Sequence, residues 1–213
     1  MSRRLPVYLL IDTSASMTGE PIEAVKTGLD TLVSALRTDP QALETAWLSL
    51  ITFDSEAREL VPLTELIGFQ VPPIEARGVT AYGAGLKAVT DAIHRDVQKA
   101  TAERKGDWKP IIFIMTDGMP TDDWHMAVES FAAAKPGLVV ACAAGANAAL
   151  EPLQAVTQNV VSLDTADRAS LSAFFKWVSA SIAVSSSKVD LTKKDTSDLG
   201  ELPPPPDEIK VVI

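Results

Sequence analysis

Residues 5–21 read LPVYLLIDTSASMTGEP. The run Pro6 to Ile11 is almost wholly apolar, as expected for a central strand buried on both faces. Asp12 ends that run, and Ser14 and Ser16 follow two residues apart. Pro21 then fits the first turn of a helix, with Thr18 or Gly19 as its cap. A buried strand that ends on a carboxylate and passes through a hydroxyl-rich turn into a helix is the opening unit of a doubly wound α/β fold. In such folds ligands gather outside the carboxyl ends of the strands.

The rest of the chain continues the alternation. A helix is expected over Glu20–Arg37, with Ile22, Val25, Leu29, Leu32, Val33 and Leu36 on one face of a 3.6-residue period. Strands follow at Thr45–Phe53 and Ala57–Pro62. Their link, Asp54-Ser55-Glu56, is too short for a parallel crossover, so this edge pair should be antiparallel. Ile67 to Gly78 reads as a loop. A long helix over Ala81–Ala102, a strand over Pro110–Met115, a helix over Asp122–Ala134 and a strand over Leu138–Ala143 come next. A short helix near Ala148–Val156, a last strand at Val160–Leu163 and a final helix over Asp167–Val184 complete the pattern. Leu171, Phe174, Phe175, Val178 and Ile182 should face inward on that helix, with Trp177 as core or cover. The expected fold is a Rossmann-like, mostly parallel six-stranded sheet with one antiparallel edge strand and helices on both faces.

Composition sets further bounds. At 213 residues with 46% hydrophobic and 22% charged side chains, one domain over residues 1–184 and a tail over 185–213 is expected. The tail is polar and charged, with four consecutive prolines, Pro203 to Pro206, that favour a polyproline II spacer or docking rod. Its end, EIKVVI, alternates enough to add as an edge strand to this sheet or to another chain. Asp207 and Glu208 have the reach to approach a neighbour's metal site. A net charge of −9 argues against nucleic acid and anionic membranes as partners. The single cysteine, Cys142, lies in an apolar run and reads as a buried, inert thiol. The start, MSRRLPVYLLID, has an apolar run too short for a membrane helix and no small-residue cleavage site, so a cytoplasmic location is expected.

Five residues then stand out: Asp12, Ser14, Ser16, Thr80 in RGVTAYGAG and Asp117 in IIFIMTDGMP. Asp12 and Asp117 each follow a strand, and those two strands are neighbours where a Rossmann-like order reverses. Two carboxylates brought together there repel unless a cation lies between them. Three hydroxyls and two carboxylates, with no His or Cys, suit a hard ion such as Mg²⁺, with Mn²⁺ as a substitute. In an extended loop Ser14 and Ser16 would point the same way. Thr80 has two readings, a cap for the helix that follows and a metal ligand. Met119 and Trp124 lie near the expected rim, as an apolar collar or as local packing. With only His94 and His125 and no clustered Cys, a zinc site is not expected.

DTSAS, GVT and TDG together resemble the motif set of von Willebrand factor type A (VWA) domains that carry a metal-ion-dependent adhesion site (MIDAS). The resemblance covers roughly Arg3 to Val184. It implies that Ser14, Ser16 and Thr80 give hydroxyl oxygens to Mg²⁺, that Asp12 and Asp117 bind directly or through water, and that a partner's Asp or Glu completes the octahedron. It also implies a last helix able to move between affinity states. The runs RLPVYLLIDTS, GEPIEAVKTGL and LSLITFDSEA resemble bacterial tellurite-resistance VWA proteins of the TerY type. That narrower likeness implies a stress-response role beside kinase- and phosphatase-like partners. The expectation is therefore a protein-binding module and not an enzyme. One alternative is a phosphatase of the haloacid-dehalogenase type, but the acid that family needs two residues after Asp12 is here Ser14. Asp122 and Asp123, which resemble that family's acidic pair, are expected to cap the following helix. Another alternative is a VWA subunit working with a separate AAA+ ATPase.

Overall fold

The computed structural model describes residues 3–103, 105–192, 195 and 198–212. Its strands are β1 (Leu5–Asp12), β2 (Ala46–Phe53), β3 (Ala57–Glu65), β4 (Ile111–Thr116), β5 (Leu138–Ala144), β6 (Val160–Leu163) and β7 (Lys210–Val212). Its α-helices are α1 (Glu20–Arg37), α2 (Pro40–Thr45), α3 (Tyr82–Asp96), α4 (His125–Ala133), α5 (Leu150–Val156) and α6 (Arg168–Thr192). The strands form one sheet in the order β3-β2-β1-β4-β5-β6-β7. β1 pairs in parallel with both β2 and β4, so the order reverses at the β1–β4 seam, as expected for the doubly wound fold.

All eight residues of β1 are buried. Alternate side chains feed two separate cores, as the period of two in a strand requires. Val7, Leu9 and Ile11 face α1 and α6, and Tyr8 and Leu10 face α3. Each fully buried aliphatic side chain contributes roughly 1.5–3 kcal/mol, so this strand alone is a large part of what fixes the fold. α1 keeps the expected face, with Ile22, Val25, Leu29, Leu32, Val33 and Leu36 buried, and has Gly19 at its N-cap. Cys142 is buried on β5, and burial pushes its thiol pKa up. Phe174, Phe175 and Trp177 are core residues of α6.

The sheet has seven strands where six were expected, and both edges are antiparallel. β3 pairs antiparallel with β2, as the short link demands. β7, from the tail, pairs antiparallel with β6 through Val160–Val212 and Ser162–Lys210. Of the two placements open to this segment, it takes the edge of its own sheet. The tail also lies on α6 of the same chain. The Trp177 Nε1–H donates to the Pro203 carbonyl at 2.8 Å, and Leu202 and Ile209 are buried. Glu208 lines the groove between tail and α6.

Several element boundaries differ from expectation, and one helix is new. α6 runs on to Thr192. α3 stops at Asp96, where an Arg4 guanidinium N–H donates to the Asp96 carbonyl and the Gln98 amide donates to Asp107. Those contacts take up groups that would otherwise continue the helix. α2, unforeseen, begins at Pro40 with the Asp39 carboxylate accepting from the Ala42 amide, a standard N-cap. The long connection after β3 is held by Arg37, whose guanidinium donates to the carbonyls of Leu66, Ile67 and Phe69. No helix among the described residues is long and apolar enough to cross a membrane.

Candidate metal centre

The carboxyl ends of β1 and β4 bring Asp12 and Asp117 to one place. Asp12 is the last residue of β1 and is fully buried. Asp117 follows β4 directly and is half-buried. Between them runs a continuous chain of hydrogen bonds. The Ser14 amide donates to Asp12 Oδ1 at 2.7 Å, the Ser14 and Ser16 hydroxyls lie 3.0 Å apart, and the Ser16 hydroxyl donates to Asp117 Oδ1 at 2.7 Å. The two serines meet for a reason other than the one expected. Ser14 precedes a 3-10 turn over Ala15–Met17, so tight coiling rather than extended alternation brings the hydroxyls together.

Thr80 closes the group from the loop before α3. A side chain at Gly118 would start 3.2 Å from Thr80 Oγ1 and 4.0 Å from Ser16 Oγ. Thr80 therefore faces the loop that carries Asp117. Its two readings separate here, because α3 starts at Tyr82 and its N-cap position, Ala81, carries no side-chain cap bond. The free amides at the helix start, Gly83 and Ala84, donate instead to the Asp122 carboxylate at 3.0 and 2.9 Å. Asp122 thus caps α3 from a distance rather than the helix that follows it. Asp123 does serve α4, by accepting from the His125 amide at 3.1 Å.

Several supporting residues were not singled out from the sequence. Thr116 donates its hydroxyl to Asp12 Oδ2 and fixes the orientation of that carboxylate. The β2–β3 turn braces the loop that carries Thr80. The Ala81 amide donates to the Asp54 carbonyl at 2.8 Å, the Val79 amide to the Ser55 hydroxyl at 3.3 Å, and Arg77 Nε to Asp54 Oδ2 at 3.4 Å. The Asp54 carboxylate is pushed up by burial, but hydrogen bonds led by those from Arg58 hold it below its ordinary range. Gly78, at φ +71°, turns the loop in a conformation that suits glycine. Short turn residues carry no sequence signal for such a long-range brace; only GVT, adjacent to it, was conspicuous.

Electrostatics single out Asp12. Burial raises its pKa from 3.8 to about 6 against the opposing hydrogen bonds from Thr116 and Ser14, and Asp117 adds repulsion. Burial also raises the Asp117 carboxyl, with the Ser16 hydroxyl opposing. The two acids are strained as anions, and a cation beside them would relieve both. Among the described residues no three His, Cys, Asp or Glu side chains gather in metal-binding geometry. Any ion at this centre must rely on hydroxyl oxygens as well as carboxylates. The donor set is entirely oxygen, and the missing side chain at Gly118 leaves a cradle open beside Thr80, so the residues fit a small hard cation.

A family model for the von Willebrand factor type A domain matches residues 7–175. An uncharacterized protein of Synechocystis is 33% identical over 123 residues, a match that covers 54% of this chain and 26% of that protein. This chain thus spans a minor part of the curated relative's length. Solved structures share the fold at low identity. Proximal thread matrix protein 1 from the mussel byssus, in a structure with a zinc-occupied MIDAS motif, superposes with a TM-score of 0.60 at 19% identity, covering 85% of this chain and 48% of that one. The pilus adhesin SpaC from Lactobacillus rhamnosus GG gives 0.64 at 15% identity, over 86% and 30% of the two chains. A von Willebrand factor type A protein from Catenulispora acidiphila gives 0.60 at 18%, over 85% and 43%.

Proposed function

This chain belongs to the von Willebrand factor type A family, and on that premise we propose that Asp12, Ser14, Ser16, Thr80 and Asp117 form a metal-ion-dependent adhesion site. The site would hold one Mg²⁺, or Mn²⁺ in its place, and capture an Asp or Glu of a protein partner. The observation that carries the proposal is the hydrogen-bonded row Asp12–Ser14–Ser16–Asp117 across the β1–β4 seam, with Thr80 facing it from a third loop.

Each residue has a separable task. Asp12, oriented by Thr116 and the Ser14 amide, supplies a fixed negative charge in a buried position. Asp117, half-exposed, supplies a second charge that Ser16 steadies. Ser14, Ser16 and Thr80 offer neutral oxygens, so the donor set carries little charge beyond the two carboxylates. With neutral hydroxyls among its ligands, a bound Mg²⁺ would stay electron-poor and attract one more anionic oxygen from outside. The centre offers no second acid two residues beyond Asp12 for phosphatase chemistry, since Ser14 stands there.

Titration calorimetry with MgCl₂ tests the site. Wild type should bind one Mg²⁺, and Asp12→Ala and Ser14→Ala should lose that heat while keeping their circular dichroism. Unchanged Mg²⁺ binding in both variants would reject the assignment. The finer reading is a cytoplasmic partner role in a tellurite- or stress-resistance system beside kinase- or phosphatase-like proteins. It is supported by the runs RLPVYLLIDTS, GEPIEAVKTGL and LSLITFDSEA. Affinity capture from the native cell, with and without chelator, tests it; recovery of an AAA+ ATPase instead would favour the chelatase-like alternative.

A further inference from the structure

The rim of the cup is apolar on two sides. Val79, next to Thr80, is 51% exposed, and Met119, next to Gly118, is 70% exposed. A groove lies on the neighbouring helices α4 and α5. The Gly118 carbonyl accepts from the Ala149 amide at 3.1 Å, which ties the start of α5 to the edge of the cup. From there an open groove runs between α4 and α5, lined by Trp124, His125, Val128, Glu129, Glu151 and Gln154. The Trp124 and His125 rings stack at 4.1 Å between centroids, giving a flat wall at its head. Glu129 and Glu151 are exposed and form no ion pair among the described residues. The groove therefore carries an aromatic wall and two exposed glutamates, Glu151 in the first turn of α5 beside the cup edge and Glu129 on α4.

We propose that this groove is the second half of the partner-binding surface. Its occupant is a partner segment that carries an acidic residue for the cup, a bulky apolar neighbour for the Val79–Met119 collar and Trp124, and a Lys or Arg within about five residues for Glu129 and Glu151. Five extended residues span about 17 Å, the length of about three turns of helix. Opposite charges in the two halves set the direction of the segment. An acid placed over the groove meets two glutamates, and a base placed at the cup meets the bound cation. The surface thus selects a dipolar sequence rather than any exposed carboxylate. This inference rests on the metal-centre reading, and its test separates the two.

The probe is a phage-displayed peptide library with one fixed Glu and randomised flanks, beside a control library with Gln at the fixed position. Both are panned in Mg²⁺ and released with EDTA. Binders from the Glu library should be enriched roughly three- to tenfold in Lys or Arg within five residues of the fixed Glu, as expected for two exposed charge pairs acting together. Glu129→Lys, an exposed change that leaves the cup untouched, should abolish that preference, and Glu129→Lys with Glu151→Lys should move it to Asp or Glu. Glu151→Lys provides a second single variant, with thermal unfolding confirming that each variant is folded. EDTA-released, Glu-dependent binders without a basic preference, or with a preference unmoved by these variants, overturn the groove and leave the metal centre standing. Equal recovery from the Glu and Gln libraries overturns the metal-centre reading and the groove with it.

Discussion

Replacing Asp12 by Asn should make the metal-free protein more stable and deprive it of its response to Mg²⁺. Asp12 is buried at the seam of two parallel strands, and its carboxyl titrates at about 6 rather than 3.8. An acid whose pKa is raised by folding keeps a proton that the unfolded chain has released. Stability therefore falls as pH rises from about 4 to about 6, and the full deficit persists above that range. At about 1.36 kcal/mol per tenfold change in proton affinity, the deficit at pH 7.5 is about 3 kcal/mol. Asn removes the charge and keeps the shape. It can still accept from the Ser14 amide, and its own N–H can donate to the Thr116 hydroxyl. The lost charge-assisted bonds offset part of the gain, so the net should be about 1–3 kcal/mol, or roughly 2–10 °C in Tm for a chain of this length. Mg²⁺ at one hundred times its Kd should then stabilise wild type by about 2.7 kcal/mol and the variant hardly at all. Thermal and urea unfolding of both proteins, in EDTA and in Mg²⁺ from pH 4 to 8, reads every term. A variant less stable than wild type in EDTA at pH 7.5, or a gap that does not change with pH, would refute the electrostatic account of Asp12.

The same proton competes with the metal, so Mg²⁺ affinity measured by calorimetry should weaken by about tenfold per pH unit below about 6 and be nearly flat above 7. Gly78→Ala should cost about 1–3 kcal/mol, because φ is +71° and the new Cβ would meet Ser55 Oγ at 2.3 Å. It should also lower Mg²⁺ affinity by about tenfold, since the brace that carries Thr80 must shift; calorimetry with intact circular dichroism separates the two effects. Truncation after Thr192 removes β7 and uncovers the β6 edge. Loss of buried Leu202 and Ile209 should cost about 3–6 kcal/mol as an upper estimate, read by urea unfolding. Size-exclusion chromatography should show new self-association through the exposed edge.

What could be read from the sequence was whatever local chemistry declares. β1 announces itself by an unbroken apolar run, α1 by its 3.6-residue face, and the β2–β3 pair by a link too short for any crossover. The placement of Asp12 and Asp117 followed from strand order alone. Apart from α2 and the serine turn, which are local, the misses depend on contacts between distant residues. α3 ends early because Arg4 and Asp107 take up its last groups. Asp122 caps α3 from 38 or more residues away, which no helix-start motif encodes. β7 is three residues long behind four prolines, and its place depends on the β6 edge, the Lys210–Asp164 ion pair, Trp177, Leu202 and Ile209, all remote in sequence or outside the strand. The serine pair was correctly joined for the wrong geometric reason, because DTSAS does not reveal whether its turn is extended or coiled.

The hydroxyls explain how such a site can stay assembled before it is used. Two carboxylates alone at the β1–β4 seam would drive their loops apart. Here Ser14 and Ser16 bridge the gap, with a proton on Ser16 directed at Asp117, and Thr116 holds the far oxygen of Asp12. The cup is kept close to its working shape by the oxygens proposed to take the metal, so binding requires hydroxyl rotation rather than refolding of a loop. The remaining strain is concentrated on Asp12, the residue with least access to water. A neutral substitute there would be more stable and would bind nothing, which is the pattern expected when a buried charge is kept for function. If the cup takes any carboxylate of the right reach, as proposed, it cannot by itself select among acidic partners. Selectivity must then come from the side chains around it, and on this molecule the exposed groups beside the cup are Val79, Met119 and the groove lined by Trp124, Glu129 and Glu151.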